Sequence, residues 1–318
     1  MNNTGSLPLI VALLASTLRF ATPLIFAALG GVFSERSGVV NIGLEGIMII
    51  GAFFAIAGTQ ATGNPWIGVL CAVLAGVLVS LVHAYLSIHL KADQVISGTA
   101  INLFAAAFTS FLIFKLYNLH GQTDAVNPLP YPKYFIAKHF TNPLIVGVGR
   151  FFDELDWFVF LAIILVIVVN YVLYKTPLGL RIRSVGEHPK AAETVGISVY
   201  KTRYLCVLLS GVLGGLGGAY ISLITIKIFR EGMVSGKGFI ALAAVVFGNW
   251  KPFGAMWACL LFGFAEAFQI VAQGFGWKLP TEFYQAIPYV LTMLALAGFV
   301  GRTQAPASDG VPYEKGER

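Results

Sequence analysis

The chain has 318 residues, 57% of them hydrophobic and only 11% charged, with a mean hydropathy of +0.78. A soluble domain carries about one-quarter charged residues, so this surface would not stay dispersed in water and belongs in a bilayer. That excludes a soluble enzyme, a disordered chain and a nucleic-acid binder. The net charge of +6 instead reports orientation, through Lys and Arg kept on the cytoplasmic side.

A membrane helix needs about 20 apolar residues. Apolar runs bounded by turn signals predict spans at 9–33, 41–60, 65–90, 94–117, 156–174, 203–225, 238–249, 254–273 and 283–301. The first has no basic leader and is too long for a signal-peptide core, so it is expected to remain as a span. The run 238–249 is too short to cross a hydrocarbon core of about 30 Å as a straight helix, which predicts a broken helix or a re-entrant segment. The expected fold is an all-α membrane protein: one helical bundle over the whole chain, with about nine spans and a range of eight to ten.

Residues 175–203 carry Lys175, Arg181, Arg183, Lys190, Lys201 and Arg203, which makes that connection cytoplasmic. Counting spans outward places the tail 302–318 on the same side, and the N-terminus and the 118–155 loop on the other. Lys133, Lys138 and Arg150 of that loop are offset by Asp124, Asp153, Glu154 and Asp156. An internal symmetry accompanies this count. A turn at Gly38, an apolar run and Asn64-Pro65-Trp66 are answered by Gly236-Lys237-Gly238, an apolar run and Lys251-Pro252-Phe253-Gly254. The two units run in opposite directions, as inverted repeats do in transporters.

Signals for covalent chemistry are missing. In Gly232–Gly238 only three residues separate Gly232 from Gly236 where a P-loop needs four, and a Gly follows Lys237 where Ser or Thr is needed. Cys71, Cys206 and Cys259 lie far apart in apolar runs and read as packing residues, and the five histidines make no metal spacing. Neither catalytic residues nor a metal nor a bound cofactor is expected.

Residues 178–200 form a polar island between two spans. Pro189 suits a first helical position and Gly196 the residue just past a helix end, so Lys190-Ala191-Ala192-Glu193-Thr194-Val195 predicts a short helix across the cytoplasmic face. Small Ala191 and Ala192 would let it sit close in a groove of another protein, with Glu187, Lys190 and Glu193 as polar rim. This segment resembles the coupling helix of bacterial ABC importer permeases, in which two alanines, three residues and a Gly recur; Ala191, Ala192 and Gly196 match, while Lys190 stands where a Glu is common. The stretches Glu35-Arg36-Ser37-Gly38-Val39-Val40-Asn41-Ile42-Gly43-Leu44-Glu45-Gly46, Asp93-Gln94-Val95-Ile96-Ser97-Gly98 and 239–250 extend the likeness. Together they resemble the branched-chain amino acid and ribose superfamily of permeases, and within it the nucleoside-importer branch.

The resemblance implies a coupling segment made by Glu187, His188, Pro189, Lys190, Ala191, Ala192, Glu193 and Gly196. It implies a second permease subunit (a copy or a paralogue), separate ATPase subunits that use the ATP, an extracytoplasmic binding protein, and the bacterial inner membrane as location. The ribose branch shows Gly-Ile-Asp-Leu-Ser where this chain has Val40-Asn41-Ile42-Gly43-Leu44, which tilts the expected solute from sugar or branched-chain amino acid towards a nucleoside.

Polar side chains inside spans cost several kcal/mol unless paired or facing water. Asn41 and Glu45 share a helix face, Asn102 lies in the fourth predicted span, and Glu266 and Gln269 in the eighth; Arg19 lies in the first. Asn41, Glu45, Asn102 and Glu266 are the candidates for the substrate pathway, with helix-tying the alternative role for each. A gradient-driven carrier using Glu45 or Glu266 as its ion-linked carboxylate is the rival from another class. A passive channel is a further rival, and the island at 178–200 counts against both.

Overall fold

The computed structural model describes residues 6–130, 149, 151–273, 280, 282–284, 286, 290, 293 and 303–315. The helices are α1 (Ser6–Arg36), α2 (Leu44–Thr62), α3 (Pro65–Ala84), α4 (Gln94–Tyr117), α5 (Trp157–Lys175), α6 (Pro177–Glu187), α7 (Pro189–Thr194), α8 (Val199–Ala219), α9 (Lys237–Phe247) and α10 (Pro252–Gln273). Wider π turns extend α3 through Tyr85–His89 and α8 through Tyr220–Ile226. Among the described residues seven helices are long and apolar enough to cross a membrane, and α9 is a shorter apolar helix. Most of the ninth predicted span, 283–301, and residues 131–148 of the expected far loop lie outside the described residues.

Helix starts follow local chemistry. Asn64 accepts a hydrogen bond from the Trp66 amide at 2.9 Å, and Asp93 accepts from Val95 and Ile96 at 2.8 and 2.9 Å. Asp156 does the same for Phe158 and Val159 at 2.9 and 3.2 Å. Each cap satisfies amides that lack an intrahelical partner, and the two carboxylates also meet the positive end of the helix dipole. Burial raises the Asp156 carboxyl above its ordinary range, opposed by the Tyr220 hydroxyl that donates to it at 2.9 Å.

The packing repeats itself in the way the internal symmetry predicts. In the first unit α3 lies against α8, and in the second α10 lies against α1, so each third helix packs on the other unit's first. Both crossings depend on absent side chains. A Cβ on Gly76 would stand 2.3 Å from the Gly211 carbonyl oxygen, and one on Gly263 would stand 2.6 Å from that of Thr17. Lipid offers no hydrophobic drive to join helices, and close backbone approach supplies the dispersion contacts that do. α2 and α8 are the most enclosed spans. Leu74 and Leu78 of α3, Leu103 and Phe111 of α4, Ile164 and Tyr171 of α5 and Trp257 of α10 point outward, as side chains facing lipid or another subunit must.

The short run resolves as half of a discontinuous span. Beyond α8 the chain turns back, and residues 227–231 pair with 121–126: Thr123 donates to Phe229 at 2.9 Å, Val126 to Lys227 at 3.0 Å and Glu231 to Gly121 at 2.8 Å. Phe229 is buried edge-on against Phe53 of α2, ring centres 5.3 Å apart. The Gly236 and Gly238 amides then reach Glu45, eight residues from Phe53 along α2, a descent of about 12 Å. Helix α9 ends at Phe247, and a turn leads to Trp250, which binds the end of α1 at Glu35 and Arg36. The segment therefore crosses the bundle as a short paired stretch and a run of turns first and as a helix afterwards.

Candidate functional site

The end of the bundle that carries Arg36, α6 and α7, hereafter the basic end, holds the polar island. Thr176 accepts from the Gly179 amide at 3.2 Å to start α6, and Pro189 starts α7, where its missing amide hydrogen costs nothing. Gly196, at φ +83°, ends the turn, and its amide donates to Glu193 at 2.9 Å. A Cβ there would meet nothing within 4 Å, so this corner projects freely.

The two alanines face opposite ways, as neighbours about 100° apart on a helix can. Ala191 is exposed, whereas Ala192 is buried with Val185, Val199 and Tyr313. His188, Lys190, Thr194 and Val195 share the exposed side, Val195 being 74% accessible. Glu187 and Glu193 are engaged within the chain. Glu187 accepts from the Ala307 amide at 3.2 Å and lies 3.9 Å from the Arg36 guanidinium. Glu193 accepts from the Tyr313 hydroxyl and lies 3.7 Å from Lys315. The outward surface is thus narrower than the eight-residue set and centres on Lys190, Ala191, Thr194, Val195 and Gly196.

Residues the sequence reading did not single out carry this geometry. Arg203 is buried in the first turns of α8 and donates to the Ser37 carbonyl at 3.2 Å and the Val311 carbonyl at 3.0 Å. Arg36 donates to the carbonyls of Trp250 at 2.9 Å and Asn249 at 3.3 Å. In the tail, the Ser308 hydroxyl and amide both donate to the Gly186 carbonyl, at 2.6 and 2.9 Å. Burial pushes the neighbouring Asp309 carboxyl up to about 7, with the Arg203 charge opposing the rise. Arg203 was legible only as an orientation charge, and Arg36 only as a member of the Glu35–Gly46 stretch. The available signal for the tail was a lone tyrosine in a stretch with no other aromatic side chain.

At membrane depth three of the four pathway candidates are occupied by the protein itself. Asn41 does not share a helix face with Glu45 as expected, because it lies in the non-helical link before α2. It is fully buried, its amide donates to the Ser210 hydroxyl at 2.8 Å, and its Oδ1 has no hydrogen-bond partner among the described residues. Asn102 accepts from the Gly46 amide at 2.7 Å and donates to the Ile42 carbonyl at 3.0 Å. Glu45 accepts from Gly236 at 2.8 Å and Gly238 at 2.7 Å, placing a carboxylate on the unsatisfied amides at the start of α9. Glu266 differs. It pairs with Lys237 at 2.8 and 2.9 Å, and both side chains stay partly accessible, at 32% and 17%. Lys237 is the partner the sequence reading missed. Arg19 makes no ion pair among the described residues and lines a small pocket with Ser16, Phe20 and Thr225.

His83 adds a buried tie. Its Nε2 lies 3.0 Å from the Val40 carbonyl, which can only accept, so Nε2 holds the proton and Nδ1 accepts from Ser97 at 3.0 Å. With Gln94 accepting from the Val40 amide at 2.7 Å, the non-helical link between α1 and α2 is held by side chains of α3 and α4.

Comparison with known proteins bears on this arrangement. Residues 13–296 match the family described as "Branched-chain amino acid transport system / permease component". The guanosine ABC transporter permease protein NupQ of Bacillus subtilis is 48% identical over 312 residues, covering 95% of this chain and 96% of that one. The nucleoside ABC transporter permease protein NupC of Lactococcus lactis is 44% identical over 323 residues, 99% of each chain. A Haloferax volcanii protein, provisionally named as a glucose ABC transporter permease, is 34% identical over 311 residues, 92% of this chain and 93% of its own. A buried seam of close-packed helices, a discontinuous span and an exposed basic-end helix are thus the form taken here by a multi-pass membrane protein that belongs to the family of branched-chain amino acid transport system permease components.

Proposed function

We propose that this chain is the membrane-spanning subunit of an ATP-driven importer that carries nucleosides across the bacterial cytoplasmic membrane. The supporting observation is near full-length identity of 48% and 44% with permeases named for guanosine and nucleosides. The geometry adds an outward corner at Ala191 and Gly196 that a second protein can engage. The chain is a transport subunit, not an enzyme. ATP is bound and hydrolysed on separate subunits, a second permease (a copy or a paralogue) completes the pathway, and an extracytoplasmic binding protein delivers the solute.

Coupling follows from connectivity. Helix α7 leads through Gly196 into α8, the most enclosed span, which packs on α1, α2 and α3. Force applied at α7 therefore enters the bundle centre rather than its rim. An ATPase pair that binds α7 differently in two states of the transporter shifts the balance between them by that difference in affinity. The Lys237–Glu266 pair supplies donors and acceptors at membrane depth that suit a hydroxylated, base-bearing solute.

Uptake of labelled adenosine in cells lacking and re-supplied with this chain tests the reading. Chain-dependent uptake that guanosine suppresses, and ribose or leucine does not, is the expected result. Chain-dependent uptake of glucose or ribose in place of adenosine would move the chain to the sugar reading favoured by the Haloferax volcanii relative.

A further inference from the structure

The tail 303–315 crosses the basic end and touches every part that positions α7. Gln304 donates to the Asn249 side chain at 2.9 Å and Ala307 to Glu187 at 3.2 Å, while Ser308 binds the Gly186 carbonyl at the end of α6. Gly38, at φ +89°, permits this approach: a Cβ there would stand 2.9 Å from the Ser308 hydroxyl and 2.8 Å from the Arg203 guanidinium. Arg203 fastens Val311, and Glu314 pairs with Lys91 beyond α3. Tyr313 closes the run. Its ring is buried with Val185, Ala192 and Val199 and stands edge-on to Tyr200 at 5.7 Å, and its hydroxyl donates to Glu193.

We propose that residues 303–315 form a strap that holds α7 in its docking pose and shares in the ATPase-binding surface, with Tyr313 as the positioning residue. A helix of six residues is too short to be stable alone, so its shape and direction come from what it packs against. On one side it packs on α6 and α8; the other supports, Tyr313 and Lys315, belong to the tail. The tail takes up the Glu193 carboxylate and leaves Lys190, Lys201 and Lys315 exposed, together with Val195 and Val311, which are 74% and 52% accessible. That combination fits an ATPase subunit presenting an apolar groove with an acidic rim. The proposal rests on the importer reading and adds to it a second, C-terminal component of the interface.

Without the strap α7 must find its pose on docking. If about a tenth of the undocked population holds that pose, apparent affinity for the ATPase falls about tenfold. The test uses the full complex purified from membranes, with ATP hydrolysed per mole of chain as the measure of retained ATPase. A chain stopped after Gln304, Tyr313→Ala and Tyr313→Phe are compared with the wild type, and Ala191→Trp serves as control. The stopped chain and Tyr313→Ala are expected to retain about a tenth of the ATPase. Their maximal uptake falls while the half-saturating solute concentration and the amount of chain in the membrane hold. Tyr313→Phe, which keeps the ring and loses the bond to Glu193, falls between. Should the stopped chain fail to insert, Tyr313→Ala and Tyr313→Phe decide. Wild-type ATPase retention and uptake in both, with Ala191→Trp still losing its ATPase, overturns the strap and spares the importer. Retention by Ala191→Trp as well places the ATPase away from α7 and overturns the strap with it, whereas the importer reading falls only if none of the chains, the wild type included, retains an ATPase.

Discussion

Two carboxylates at the joints of this molecule are held in contrasting ways. Glu45 lies inside the bundle, 8% exposed, and accepts two backbone amides from the start of α9. Glu193 lies at the basic end, half-buried, and is held by a tail tyrosine and a lysine that is 75% accessible. Where water is absent, every polar group must find its partner in the protein, and losing one partner strands the other. Where water is present, it replaces a lost partner at little cost. The interior joint is therefore built to persist, and the basic-end joint is one that a docking protein can grip, release and reshape.

Removing the interior carboxylate sharpens that contrast most. Glu45→Ala leaves one buried and one part-buried amide unpaired, at about 1–3 kcal/mol for the buried one and less for the other. A loss of that size is expected in unfolding titrations of the purified chain, with uptake abolished. Glu45→Gln keeps an acceptor for one amide and is expected to lose about half as much. A Glu45→Ala protein as resistant to unfolding as the wild type would remove the structural role assigned to this carboxylate.

The opposite signature is expected at the basic end. Ala191→Trp adds bulk to an exposed face, where substitutions move stability by about 0.5 kcal/mol or less, yet it should abolish ATPase retention. Normal co-purification of the ATPase would show that this face is not where the ATPase binds. The Lys237–Glu266 pair lies between the two extremes, partly buried and partly open. Glu266→Gln strands the lysine and is expected to lower uptake several-fold. Lys237→Met with Glu266→Gln leaves no charge unpaired and is expected to recover stability though not transport. Wild-type uptake by Glu266→Gln at every solute concentration would confine the pair to a structural role.

The sequence disclosed the elements whose causes are local and hid those made by distant partners. The predicted fourth span, 94–117, coincides with Gln94–Tyr117 because an Asp93 cap and an Asn118 in the left-handed conformation delimit it. Asn64-Pro65 and Pro252 mark the starts of α3 and α10, and with them the repeat that packing displays. By contrast the sixth predicted span begins at 203, whereas α8 begins at Val199. Lys201 and Arg203 depress local hydropathy, although Arg203 is fully enclosed, and its partners Ser37 and Val311 lie more than a hundred residues away on either side. The same holds for Glu45, whose amide partners come from 191 and 193 residues further along. Residue type flagged these side chains as unusual; only the fold shows what each one binds.

The smallest effect expected concerns pH and separates the tail from the interior. Asp309, beside Arg203 and within the field of Glu35, is pushed from 3.8 up to about 7 when the tail is docked, burial being the main cause. The docked tail thus binds a proton more tightly than the free tail. This contribution to docking is fully present below about pH 4 and is lost as pH rises towards 7. Amide hydrogen exchange in residues 303–315, corrected for its intrinsic pH dependence, should therefore show protection falling between about pH 4 and 7 and levelling above it, while the α2–α9 joint stays protected throughout. Asp309→Asn, which cannot ionise, should flatten the fall in the tail and leave the joint as it was. A tail whose protection is level across that range, or an Asn variant that keeps the wild-type slope, would take the titration away from Asp309 and leave the strap resting on Ser308, Val311 and Tyr313 alone.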